Sequence, residues 1–238
     1  MNDQEMDQFA ERLRAAHGAN LVAVVLYGGS VANESTAGVT GFRTLVVLGH
    51  IRPADLRAAR DPVSEWVDGD NPPPVYFTEE EMAHAADVFP IEFLDMMDNR
   101  RVLTGRDPFD GIDVSTRHLR HQVEFELRGK IIRLRDLYIP ASTDPERLTG
   151  LLVESLGTFA KLFRFALRLT GGPDLADRRD AVRETVRHFS LDPNPFDRIL
   201  AALDSGRAMP EADAHETFGA YLEEIQRVVD AVDRLPDA

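Results

Sequence analysis

Seven apolar residues, Leu21-Val22-Ala23-Val24-Val25-Leu26-Tyr27, follow one another without a polar interruption and stop at Gly28-Gly29. Successive side chains of a β-strand point to opposite faces, so a strand built from this run has no face to offer to water. Its three β-branched valines and the glycine pair that ends it favour strand over two turns of helix. The sheet that contains it must therefore be covered on both sides. The preceding residues supply one cover, because Met6, Phe9, Ala10, Leu13 and Ala16 recur at helical spacing and Gly18 follows as a stop.

Beyond a polar loop, residues 42–48 form a second apolar strand. A helix is expected over 53–66, opened by Pro53, and a loop over 68–74, where successive prolines remove backbone donors. Val75-Tyr76-Phe77 reads as a short third strand. Thr78 and Glu81 have the spacing of a capping box, in which hydroxyl and carboxylate satisfy the free amides of a helix start. The segment 89–99 fits helix or strand, and Arg101-Val102-Leu103-Thr104-Gly105 reads as a strand running into a turn.

From Val114 onward the periodicity is helical almost throughout. Helices are expected over 115–138, 144–169, 174–189, 195–203 and 210–234, the first with Leu119, Val123, Leu127, Ile131, Leu134 and Tyr138 on one stripe. The sequence thus describes an α+β chain, with a small sheet and flanking helices over 1–110 and an all-α helical bundle over 111–238. A chain of this length buries a core without a covalent staple.

The absence of cysteine excludes disulfides, thiolate metal sites and cysteine nucleophiles, and suits a reducing cytoplasm. The acidic, polar segment 1–20 predicts no secretion signal, and no apolar stretch reaches the length of a membrane span. A formal net charge of −14 opposes binding to a phosphate backbone, so neither nucleic acid nor membrane is expected as a partner.

The run Leu26-Tyr27-Gly28-Gly29-Ser30, a polar loop, and Leu45-Val46-Val47-Leu48 together resemble the core of the nucleotidyltransferase superfamily, which includes aminoglycoside-modifying and minimal members. Pro74-Val75-Tyr76-Phe77-Thr78-Glu79-Glu80-Glu81, the Val102-to-Pro108 segment and the helical second half agree with it. The resemblance implies a nucleotidyltransferase-like domain with a small mixed sheet, whose Gly-Ser pair lets the backbone approach a nucleotide triphosphate. It assigns nucleotide contacts to Gly28, Gly29, Ser30 and Arg43, with glycine supplying unusual backbone angles and the hydroxyl a phosphate contact.

The family's two metal-binding carboxylates alternate on the second strand, and here the matching positions are Gly41 and Arg43. The third carboxylate's region, 72–77, holds only proline, apolar and aromatic residues. Transfer in this superfamily relies on metals that neutralise the triphosphate. A divalent ion about 4 Å from a guanidinium is repelled by on the order of 8 kcal/mol at an effective dielectric near 20. The expectation is therefore a catalytically impaired member with no metal, no cofactor and no catalytic residue assigned. It would be a regulatory module that binds a nucleotide, a protein partner or a second copy of itself. Two alternatives stand beside it: an active transferase using carboxylates from other positions, Glu34, Glu92 or Glu124, and a partner protein of the toxin–antitoxin type.

Other polar groups have structural readings. Arg120, Glu124 and Arg128 fall at successive i,i+4 positions, which favours a ladder of ion pairs. Glu92 and Asp95 would share one side of a helix, solvated or paired, but opposite faces of a strand. Arg183 and His188 resemble an Arg-x4-His signature of helical ribonuclease-like domains, a spacing that chance supplies in an arginine-rich chain.

Overall fold

A computed structural model describes residues 3–28, 42–175 and 177–236. The chain divides into two compact units, Met1–Ser115 and Thr116–Ala238.

Among the described residues the first unit is built on four strands, β1 (Leu21–Tyr27), β2 (Arg43–Leu48), β3 (Val75–Thr78) and β4 (Arg100–Gly105), in the order β3-β2-β1-β4. β1 runs antiparallel to both β2 and β4, whereas β2 and β3 are parallel, so the sheet is mixed and the apolar run is central. Both of its faces are covered. Val24, Leu26, Val46 and Leu48 pack against Met6, Phe9, Ala10 and Leu13 of α1 (Asp3–His17) and against Trp66 of α3 (Arg60–Asp68). The opposite face, with Ala23, Val25, Tyr27, Leu45 and Val47, packs against Met82 and Ala85 of α4 (Glu79–Ala85) and Phe93 and Met96 of α5 (Pro90–Asp98). Removing each of the valine, leucine, phenylalanine and methionine side chains from water stabilises the fold by about 1.5–3 kcal/mol.

Local chemistry sets the element ends. The Thr78 and Glu81 side chains exchange bonds with each other's backbone amides at 3.1 and 2.7 Å, the capping box expected from their spacing. The helix expected over 53–66 is broken in two, α2 (Pro53–Ala58) and α3, at Ala59. Pro62 accounts for the break, since it has no N–H to donate to the carbonyl four residues back. The ambiguous segment 89–99 resolves as helix α5, started by Pro90. Asn71, buried, ties the proline loop to the sheet: its amide nitrogen donates to the Trp66 carbonyl at 3.0 Å, and its oxygen accepts from the Phe42 amide at 2.9 Å.

The second unit holds α6 (Thr116–Ala141), α7 (Pro145–Leu169), α8 (Arg178–His188), α9 (Asn194–Ser205) and α10 (Glu211–Asp233). The expected stripe on α6 is buried at Leu119, Val123, Leu127, Ile131 and Leu134. Phe159, Phe163, Phe196 and Tyr221 form the centre of the bundle, meeting edge-on or stacked at centroid separations of 5.5–6.4 Å. α8 starts at Arg178 rather than near 174, because the Asp177 carboxylate accepts from the Arg179 and Asp180 amides and fixes the start there.

Candidate functional site

At one end of the sheet, strand register sets three polar side chains in a row. Tyr27 is paired with Arg43 across β1–β2 and with Arg100 across β1–β4, so all three project from the face that α4 and α5 cover. The chain then leaves β1 through Gly28, whose φ is +86°, a backbone angle that glycine adopts without cost. The Gly28 amide donates to the Asn99 carbonyl at 2.9 Å, which fixes the exit from β1 against the entry to β4.

The two arginines are held differently. Arg100 donates to Asp107 through Nε at 2.9 Å, approaches it through Nη2 at 2.8 Å, bonds the Met97 carbonyl and lies over the Phe109 ring. Arg100 is thereby a structural clamp. Arg43 faces Asp95 of α5 with Nη1 and Oδ2 3.8 Å apart, an ion pair without hydrogen-bond contact. Both side chains remain about one-third exposed, at 33 % and 30 %. Tyr27, buried beside them, has its phenol pushed above the ordinary pKa by desolvation, an effect the Arg43 charge opposes and Asp95 reinforces.

Of the four residues assigned to nucleotide contact, Gly28 and Arg43 adjoin: a Cβ added to Gly28 would lie 3.8 Å from the Arg43 Cδ. Gly29 and Ser30 lie outside the described residues, as do Glu34 and Gly41. β3, the region of the third carboxylate, carries Val75, Tyr76 and Phe77. Glu92 belongs to the first turn of α5. Glu124 is engaged on both sides, 3.5 Å from Arg120 and 2.8 Å from Arg128, the ladder expected from the spacing. Arg183 pairs with Asp180 at 3.6 Å, and His188, five positions along α8, stands about 140° around the helix from it. Among the described residues no three His, Asp or Glu side chains are grouped as a metal site. Nor is any described helix long and apolar enough to cross a membrane.

Two members of the cluster escape sequence reasoning. Tyr27 reads as one more apolar residue of a buried strand. Asp95 is recognisable as a carboxylate that pairs or is solvated once its segment is helix, but its partner comes from a distant strand. The fixed end of β1, with glycine at its exit and a partly exposed arginine on the neighbouring strand, is suited to holding an anion by charge and planar N–H donors.

The mixed four-stranded sheet with flanking helices, followed by helices alone, is a nucleotidyltransferase-like fold. Among solved structures it is similar to spectinomycin adenyltransferase AAD(9) from Enterococcus faecialis, determined with ATP and spectinomycin, at a TM-score of 0.56 and 14% sequence identity, over 96% of this chain and 99% of that one. No protein-family model matches the chain. No curated protein matches it either.

Proposed function

We propose that this chain is a catalytically impaired nucleotidyltransferase-like protein, a regulatory module whose cleft at the end of β1 holds a nucleotide through Gly28, Gly29, Ser30 and Arg43. One observation carries the reading: Arg43 stands in register with Tyr27 beside the glycine exit, with its guanidinium against Asp95. A cation in that place contacts phosphate directly, by paired N–H donors, and repels a divalent ion. The described residues around it therefore do not fit a magnesium site. A 1–110 domain carrying the cleft and a 111–238 helical bundle are the division proposed for this function. A protein partner or second copy would read the module's nucleotide state.

Asp95 favours a second reading, an active transferase, because it brings a carboxylate to the cleft. Thermal shift with each of the four nucleoside triphosphates, with and without magnesium, separates the two, since a ligand specific to the folded state raises apparent stability. The expected result is a rise that needs no magnesium and disappears in Arg43→Gln. A flat response to all four removes the nucleotide from the proposal. Magnesium-dependent transfer of label from a nucleotide to an acceptor, lost in chelator, establishes the transferase instead.

A further inference from the structure

The Arg43–Asp95 pair is looser than its neighbour on the same row. Arg100 and Asp107 are in bonding contact at 2.8 Å, whereas Arg43 and Asp95 stand 3.8 Å apart with about a third of each side chain in water. At that distance the attraction is Coulombic and the planar N–H fork of Arg43 is not closed by the carboxylate. A phosphate oxygen can therefore take the fork. Asp95 then stays close, because α5, from which it projects, is held to the sheet by Phe93 and Met96, both buried. Its negative charge stays within a few ångströms of whatever anion Arg43 holds.

We propose that Asp95 sets the charge selectivity of the anion site at Arg43: it occupies the guanidinium while the cleft is empty and penalises an incoming phosphate group in proportion to its charge. The inference rests on the nucleotide-binding reading and goes beyond it by naming the residue that limits which nucleotide enters. Coulomb repulsion is linear in the ligand's charge, so a triphosphate is opposed more strongly than a monophosphate of the same nucleoside. Partial exposure lets salt weaken the effect, which is largest at low ionic strength. Asp95 is thus a specificity residue that acts through its charge, distinct from the arginine that makes the contact.

The test is isothermal titration of the full chain with AMP, ADP and ATP in chelator at low, matched ionic strength. Asp95→Asn is expected to tighten binding by about threefold for AMP and tenfold or more for ATP, a gain that climbs with ligand charge. Asp95→Glu, which keeps the charge, is expected to retain the wild-type ratio of ATP to AMP affinity. The Arg43→Gln/Asp95→Asn double variant is expected to lose the gain. Asp95→Ser repeats the measurement with a smaller neutral side chain, should the amide disturb α5. A gain equal for all three nucleotides, no gain, or a matching gain in Asp95→Glu overturns the charge role while leaving nucleotide binding intact. Failure of wild type and both neutral variants to bind any of the three overturns the inference and the reading beneath it together.

Discussion

Gly28 and Gly105 serve opposite ends of strand β1 with the same backbone angle, φ +86°, and for different reasons. Gly105, the last residue of β4, pairs with Ala23 near the start of β1. A Cβ there would fall 1.9 Å from the Val22 carbonyl oxygen and 2.9 Å from the Ala23 Cα, so two backbones approach as closely as the missing side chain allows. At Gly28 the nearest atom of the described residues to an added Cβ is the Arg43 Cδ at 3.8 Å, an ordinary contact with a flexible side chain. The end of β1 at Gly105 is closed by packing; among the described residues, the end at Gly28 retains room. Space that the fold does not need is what a ligand requires, and the contrast separates a structural glycine from one suited to a site.

Gly105→Ala breaks the closed end and has the largest expected effect. The left-handed angle costs an alanine about 1–2 kcal/mol, and overpacking against backbone adds about 1–3 kcal/mol, for a total of about 2–5 kcal/mol. Urea unfolding followed by the fluorescence of Trp66, which packs on the same sheet, measures it. A loss under about 1 kcal/mol would show that the β1–β4 seam yields and that the two ends are alike.

Gly28→Ala sharpens the contrast from the other side. Only the backbone angle is penalised, so the expected loss is about 1–2 kcal/mol and the protein stays folded. The methyl group meets the stem of Arg43, so the same variant should weaken nucleotide-induced thermal stabilisation more than its own stability explains. Retention of the full wild-type shift in Gly28→Ala would place the ligand elsewhere.

Local features are more legible in the sequence than either end of β1: the apolar run of β1, the Thr78–Glu81 cap and the Arg120–Glu124–Arg128 ladder all depend on residues within a turn or a strand of one another. The row Arg43–Tyr27–Arg100 depends on the registers of three strands, and Asp95 reaches Arg43 only because α5 packs across the sheet. Such placements are tertiary and leave no periodic trace. The Ala59 break has a local cause in Pro62, which a helix opened at Pro53 with apolar spacing through Trp66 outweighs on pattern alone. Gly105 looks like any turn glycine until the Val22 carbonyl is found against it.

His17 gives the smallest effect at neutral pH and tests whether the contact between the end of α1 and β3 stays dry. It is the last residue of α1, 8 % exposed, and neither ring nitrogen has a hydrogen-bond partner among the described residues. The Tyr76 hydroxyl beside it is likewise without one, the rings meeting edge-on at 6.0 Å. Desolvation lowers the His17 pKa below 6.5, with Asp55 opposing in part. In the interval between that lowered value and 6.5 the unfolded chain binds a proton that the folded chain refuses, so stability rises with pH and is lost as pH falls below 6.5. His17→Leu removes the titrating group and its unsatisfied nitrogens, so it should change stability by less than about 1 kcal/mol near pH 7.5 and flatten the acid slope. Unfolding midpoints of both proteins from about pH 5 to 7.5 decide it, because a buried neutral histidine requires the two curves to converge at the upper end and part at the lower. Parallel curves would mean that water reaches His17.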